Sequence, residues 1–308
     1  MNSYVTFSEA YRDTLRLILE SGKEVKPRGM STRELIGHSF RITNPHYNVV
    51  GQKTRKISLP FMAAESIWII SGSNDFRVVT PYNSKMKQFS DDGLFFRGAY
   101  GLKIIDQLPY ILENLLKDQE SRQALLTIWR ERPGPSKDIP CTIMMQFFIR
   151  EGELDLVVYM RSNDAWLGLP YDVFTFTQLQ KYVANLLGIT PRFYHHHVGS
   201  LHLYEANIDQ AVELVGEDLK QVIQVNTGRS LVAPIPPEVL TVFTGMSLLG
   251  ERQGVTPADV AAWLDLSGVN AFPEWLELLQ LCAYRFHKLP ELLPANYQPL
   301  YRYWRAGS

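Results

Sequence analysis

Cysteine is nearly absent, with only Cys141 and Cys282 among 308 residues. Two thiols cannot build a disulfide framework, and their scarcity fits a reducing compartment, so a cytoplasmic location is expected. Also missing are a cationic or apolar leader, an apolar run of membrane length, and any repeat or low-complexity tract; no membrane partner is therefore expected. Nor does one sign of charge dominate, since 31 Lys and Arg against 32 Asp and Glu leave a formal net charge of -1. Gripping nucleic acid through a broad basic face needs an excess of cations to displace counterions, so no obligatory nucleic acid is expected and each arginine must be judged by its neighbours. What remains is an ordinary globular composition, 45% hydrophobic and 20% charged, long enough for one large α/β domain or two small ones.

Cys141 stands out against that background. It follows Pro140 and opens the apolar, β-rich run Thr142-Ile143-Met144-Met145-Gln146-Phe147-Phe148-Ile149, which places the thiol at the entrance of a buried strand, where a nucleophile can be held. Twenty residues on, the stretch from Arg161 to Asp172 crowds together an arginine, Ser162, two carboxylates and a Gly168/Pro170 turn. A thiol beside anion-binding groups points to chemistry on a phosphorylated small molecule.

Along the chain, Thr6 and Glu9 form a capping box before a helix that ends at Gly22. The loop with Arg28, Gly29, Ser31 and Thr32 has donors to wrap a phosphate, and the same residues also suit a solvated turn. Phe61 to Ile70 reads as a buried helix containing Glu65, an acid that is costly there unless it is hydrogen-bonded or handles protons. A helix is predicted from about Asp106 to Lys117, and strands over Ala124 to Trp129 and Leu154 to Met160. A long buried helix is expected over Val173 to Leu187 and a strand over Phe193 to Tyr204. The turn from Arg130 to Asp138 delivers the chain to Cys141. Of that last strand's histidines, His195, His196 and His197 cannot converge on one metal, because neighbours point to opposite faces, so no metal is expected. His202 and Tyr204 share a face and can offer two hydrogen bonds to a sugar hydroxyl. Pro234-Ile235-Pro236-Pro237 reads as a linker, Thr256-Pro257 as a capped helix start, and Cys282 as a small buried hydrophobe.

Taken together and in order, these pieces resemble the thymidylate synthase family over roughly Thr6 to Asn207. The signals are Arg28-Gly29 through Gly37, Glu65 with Trp68 and Gly72, Tyr100-Gly101, Ser121-Arg122, Pro140-Cys141, Gln146-Phe147, Arg161-Ser162 with Asp164, Leu167 to Tyr171, and Gly199 with His202-Leu203-Tyr204. The resemblance implies an α/β (α+β) fold with a large mixed sheet packed against helices. It divides the chain into a catalytic domain over 1–232 and a helical extension over 233–308 packed on the same domain. It implies that Cys141 adds to C6 of a pyrimidine nucleoside monophosphate, with Glu65 and Tyr100 in the proton-handling network. Arg28, Arg161 and Ser162 are implied as phosphate ligands, Arg122 as a phosphate ligand reaching the partner subunit of a homodimer, and His202 and Tyr204 as the sugar pair. Gly168 and Asp164 belong to the implied substrate set. Trp68, Tyr82, Leu167, Tyr171 and again Asp164 stand near the implied co-substrate, 5,10-methylenetetrahydrofolate. Nearby arginines are expected to lower the thiol's pKa.

Departures from the family carry the finer reading. Asp172 stands where thymidylate synthases place an asparagine against the pyrimidine edge. Cytosine offers the reverse of uracil's donor pattern at N3 and C4; a protonated carboxyl complements it, or an ionised Asp172 pairs with an N3-protonated ring. This is the pattern of deoxycytidylate hydroxymethylases, which finish with water and leave tetrahydrofolate, and their products generally protect viral DNA from restriction. The chain also lacks the apolar tail that synthases fold over the cofactor, and Tyr82 stands where they carry a tryptophan; both favour water. Gln123, Thr142 and Ser200 replace a second arginine, a histidine and an aspartate. A dCMP methylase, a CMP hydroxymethylase and a non-catalytic nucleotide- or RNA-binding regulator stay open as alternatives.

Overall fold

The computed structural model describes residues 1–130, 134–228, 231–249 and 256–306; part of the turn between Arg130 and Asp138 thus lies outside the described residues. The strands are β1 (Asn2–Tyr4), β2 (Lys23–Val25), β3 (Thr32–Ile42), β4 (Leu125–Thr127), β5 (Thr142–Arg150), β6 (Glu153–Asp164) and β7 (Pro191–Tyr204). The helices are α1 (Phe7–Ser21), α2 (Leu59–Ile70), α3 (Phe76–Val79), α4 (Tyr100–Lys117), α5 (Leu169–Leu186), α6 (Ile208–Val215), α7 (Pro237–Leu249), α8 (Pro257–Leu266), α9 (Pro273–His287) and α10 (Gln298–Arg305).

Among the described residues the strands form one mixed sheet in the order β1-β3-β7-β6-β5-β4, with β2 paired to β3. The parallel pair β6 and β7 is joined by α5, a crossover whose helix must return across the sheet. That position explains why α5 is buried nearly all round, polar Thr175, Thr177, Gln178 and Gln180 included. Gln180 Nε2 donates to the backbone oxygens of Leu154 and Phe193, at 2.8 and 3.0 Å, tying β6 to β7. The predicted capping box at α1 forms: Glu9 N–H donates to Thr6 Oγ1 at 3.3 Å, and Thr6 N–H donates to Glu9 at 2.9 Å.

α2 packs against α4, α5 and α9, so its apolar residues surround it and only Glu65 is not fully buried. The Pro234–Pro237 stretch leads into helices that cover this side of the molecule. Trp275 is fully buried and donates to Val232 O at 2.9 Å, while Trp304 donates to Gln52 O at 3.0 Å. Cys282 is a buried free thiol.

The helix expected from Asp106 begins instead at Tyr100. Gly101 in its first turn serves close packing: a Cβ there would lie 2.7 Å from Ile69 O and 3.0 Å from the Gly72 Cα. The bare glycine lets α4 cross the end of α2 and sets Tyr100 at the sheet. The strand expected over Ala124–Trp129 is shorter, spanning Leu125–Thr127. Replacing Gly101 with alanine should cost about 1–3 kcal/mol of stability. Urea unfolding of the variant checks this, and an unchanged midpoint would mean that the crossing relaxes freely.

Candidate active site

Cys141 immediately precedes β5, as the proline-apolar junction predicts. Its backbone is fixed from two sides. The Tyr100 hydroxyl accepts from the N–H of Cys141 and Thr142 at 3.2 and 3.3 Å, and Arg161 N–H donates to Cys141 O at 2.8 Å. The Arg161 side chain turns back over the same segment, donating through Nε to Pro140 O at 2.8 Å and through Nη2 to Ile139 O at 3.2 Å, with Nη2 3.8 Å from Cys141 Sγ. Gly199 opposite permits this crowding, since a Cβ there would lie 3.0 Å from Arg161 O.

One expectation is reversed. Arg161 and Arg28 do pull the thiol's pKa down, but burial pushes it up more strongly and the charge of Asp172 adds to that push, so the Cys141 thiol sits above its ordinary value. Arg161 Nη2 donates to Cys141 Sγ at 3.8 Å, and burial outweighs even that facing cation.

Two acids lie close by. Burial pushes Glu65 up to about 8, with the charge of Asp172 adding to it, and pushes Asp172 up to about 7. Glu65, Asp172 and Cys141 are each only partly covered, as residues lining a concavity must be, yet protein atoms crowd them enough for desolvation to dominate. Asp172 occupies the first turn of α5, where the helix N-terminus favours an anion, and burial outweighs that help. Asn163 Nδ2 donates to Asp172 Oδ2 at 2.7 Å. Gly168 makes room for this pair, because a Cβ there would lie 3.1 Å from Asn163 Nδ2 and 3.3 Å from Asp172 Oδ2. The charge of Asp172 bears on Cys141, Glu65 and Tyr100 alike, so these four expected catalytic residues share one compartment.

A second compartment adjoins it. Asp164 Oδ1 accepts from the N–H groups of Trp166 and Leu167, both at 2.8 Å, and so shapes the turn that presents exposed Leu167. Burial raises this carboxyl, opposed by those two N–H groups, His202 and Arg55. Asp164 pairs in register with His202, whose ring meets Tyr204 edge-on at 5.3 Å, and Ser162 pairs with Ser200. Ser200, in place of the family's aspartate, donates to Glu34. The Tyr171 hydroxyl accepts from Ser58 N–H at 3.0 Å, and its ring meets Phe61 edge-on.

Other expected residues sit farther out. Arg28 lies in the exposed β2–β3 turn with φ 52°, and its charge reaches Cys141. Arg122 is exposed beside the edge strand β4, its carbonyl accepting from Gln146, and belongs to neither compartment of this chain. Trp68 is buried against Phe96 and donates to Asp75 O at 3.1 Å. Tyr82 is buried beneath the C-terminal helices, stacked on Phe243, and lines a hollow of about 340 Å³ with Lys56, Ser58, Arg285 and Tyr301.

Arg55 is the principal residue that the sequence reading missed. It is buried, donates twice to Trp166 O at 2.8 and 3.1 Å, and lies over the Trp166 and Tyr171 rings. The signal available was the basic run Lys53-Thr54-Arg55-Lys56 just before an apolar helix. The histidines divide by strand parity: His196 points inward to Asn163 and Tyr194, while His197 stacks on Tyr159.

Fold and site together define an α/β protein that gathers a thiol and two acids whose carboxyls desolvation raises. A family model described as Thymidylate synthase matches residues 9–231, and the chain belongs to the thymidylate synthase family. It is similar to a deoxyuridylate hydroxymethyltransferase of Bacillus phage SP01, 31% identical over 239 residues, which cover 71% of this chain and 62% of that protein. A second relative, a deoxyuridylate hydroxymethyltransferase of Pseudomonas phage M6, is 33% identical over 164 residues, or 50% of this chain and 47% of that protein. The chain thus spans about three-fifths and about half the length of these relatives. Among solved structures, the thermostable thymidylate synthase A from Bacillus subtilis superposes with a TM-score of 0.60 at 24% identity, over 69% of this chain and 85% of that one; this likeness is one of fold.

The raised acids make stability depend on pH. Folded Glu65 keeps a proton that the unfolded chain has already lost, so this stabilising contribution is full below the unfolded value, near 4.5, and is lost as pH rises through about 8. Glu65→Gln removes that loss. Its melting temperature should gain on the parent's by ~2 °C or more between pH 5 and pH 8.5. A constant difference in thermal melts across that range would contradict a buried, neutral Glu65.

Proposed function

We propose that the protein transfers a one-carbon unit from 5,10-methylenetetrahydrofolate to C5 of a pyrimidine deoxynucleoside monophosphate and finishes with water, giving the 5-hydroxymethyl nucleotide and tetrahydrofolate. The base we assign is cytosine, with dCMP as substrate. The observation that carries this is Asp172, a carboxyl that burial pushes up to about 7 at the position where the family's asparagine meets the base. A neutral carboxyl donates through one oxygen and accepts through the other, the complement of cytosine N3 and its amine. The names of the two phage relatives favour uracil as the second reading, and a neutral carboxyl with its proton on the other oxygen would serve that base.

Cys141, Glu65, Tyr100 and Asp172 are the catalytic residues of this reading. The Cys141 thiol gives up its proton and adds to C6, which places an electron pair at C5. The raised thiol ties this step to bound phosphate and base, because nothing in the free site outweighs burial. The folate, when bound, supplies the one-carbon unit. Asp164, Tyr171 and Leu167 would hold it, with Arg55 and Trp166 behind them and the hollow by Tyr82 alongside; a carboxylate among aromatic rings and cations is a donor set that fits a flat heterocycle with an anionic tail. Once the new carbon–carbon bond forms, Glu65 takes the proton lost from C5 while the carbon–nitrogen bond to the departing tetrahydrofolate breaks, which leaves an exocyclic methylene at C5. Water then adds to the exocyclic methylene, the pair returns to sulfur, and Cys141 is released. Arg28, Arg161 and Ser162 are assigned to the phosphate, with Arg122 of a second copy in a homodimer, and His202 and Tyr204 to the sugar.

Mass spectrometry after incubation with methylenetetrahydrofolate and equal dCMP and dUMP tests this reading. The expected outcome is hydroxymethyl-dCMP, with Cys141→Ser inactive and Asp172→Asn moved toward dUMP by roughly tenfold or more. A methyl product would remove the water step, and turnover of dUMP alone would overturn the assignment of Asp172.

A further inference from the structure

Behind Asp172 runs a row of buried hydrogen bonds to which the roles above assign nothing. Tyr194 Oη lies 2.8 Å from His196 Nδ1, His196 Nε2 lies 3.0 Å from Asn163 Oδ1, and Asn163 Nδ2 reaches Asp172 Oδ2 at 2.7 Å. Tyr194 and His196 are fully buried and Asn163 is 3% exposed. Phe40 stacks on the His196 ring at 5.1 Å and holds its plane.

Two wirings satisfy these distances. In the first, every proton runs toward the carboxyl: Tyr194 donates to His196 Nδ1, His196 Nε2–H donates to Asn163 Oδ1, and Asn163 donates to Asp172. In the second, the imidazole tautomer and the Asn163 amide are both flipped, Asp172 donates to the amide oxygen, and the Tyr194 hydroxyl accepts. The second strands the Tyr194 proton in an apolar interior, where an unmade hydrogen bond costs about 1–3 kcal/mol. Burial supports the first wiring as well, since it holds His196 neutral, its value pushed down to about 3, and keeps Tyr194 protonated. The titratable groups that bear on Asp172 are Glu65 from α2, Asp164 from β6, Tyr100 from α4, Cys141 before β5 and Tyr194 from β7, all of them acids. Glu65, raised to about 8, keeps its own proton below that value and then takes none from Asp172.

We propose that Tyr194, His196 and Asn163 are positioning residues for base choice: their one-way chain of donors fixes Asp172 Oδ2 as an acceptor and leaves the carboxyl's proton on Oδ1, so the pattern shown to the pyrimidine cannot reverse. The inference rests on the reading that Asp172 meets the base. Its distinctive consequence is that Tyr194, two hydrogen bonds removed from Asp172's partner, governs which base is preferred.

The test is equilibrium binding of dCMP and dUMP, by calorimetry without folate, to the parent and to Tyr194→Phe, His196→Phe and His196→Gln. Tyr194→Phe deletes one hydroxyl and His196→Phe the whole relay. Either lets the Asn163 amide turn, so the dCMP-to-dUMP affinity ratio should shift toward dUMP by about tenfold. His196→Gln restores an N–H near the Nε2 position and should keep the ratio within about threefold of the parent. An unchanged ratio in folded Tyr194→Phe and His196→Phe, or equal weakening of both nucleotides, would overturn the relay, because a merely structural role lowers both affinities alike. A parent that prefers dUMP would overturn the cytosine assignment alone, since the ratio must still move in the variants. A parent that binds neither nucleotide would overturn both.

Discussion

Desolvation of the acids near the thiol is the constraint on which the rest of the site depends. Asp172 stands at a helix N-terminus that favours its anion and beside an amide that donates to it, yet burial still lifts it to about 7. The surrounding elements create that condition. α2 is buried on every side except at Glu65, α5 is buried nearly all round, and β6 and β7 lie side by side beneath α5. The same burial raises Cys141 in spite of two arginines. Burial thus disfavours the thiolate in the free protein, which makes Cys141 less reactive.

Glycines and backbone contacts turn this constraint into geometry. Gly101 lets α4 approach α2 closely enough for Tyr100 to brace the backbone on both sides of Cys141. Gly168 leaves space for the Asn163–Asp172 pair, and Gly199 leaves space for Arg161. Each of these residues stands next in sequence to a side chain of the site or directly across from one, so packing and chemistry are specified by the same short stretches.

Those short stretches are why much of the site was legible in sequence. Cys141 after a proline, the Arg161–Asp172 run, and the alternation of His195, His196 and His197 all express local rules of strand and turn, and a strand's parity alone sends His196 inward. What escaped is what tertiary structure assembles. Arg55 gains its meaning only where it meets Trp166, 111 positions away, and Asn163 only where His196 and Asp172 reach it from other elements. The start of α4 lies at Tyr100 and not near Asp106 because Gly101 serves a close crossing with α2, a contact that only tertiary structure supplies. The thiol's shift was misjudged because arginines can be counted in a sequence and burial cannot.

The central claim is that Asp172 is a neutral carboxyl near neutrality, and infrared difference spectroscopy of the free protein addresses it directly. At pH 6 the parent minus Asp172→Asn should show a protonated-carboxyl C=O band that fades with a midpoint near pH 7 as the symmetric carboxylate band grows. A difference spectrum with only carboxylate bands at pH 6 would contradict the account.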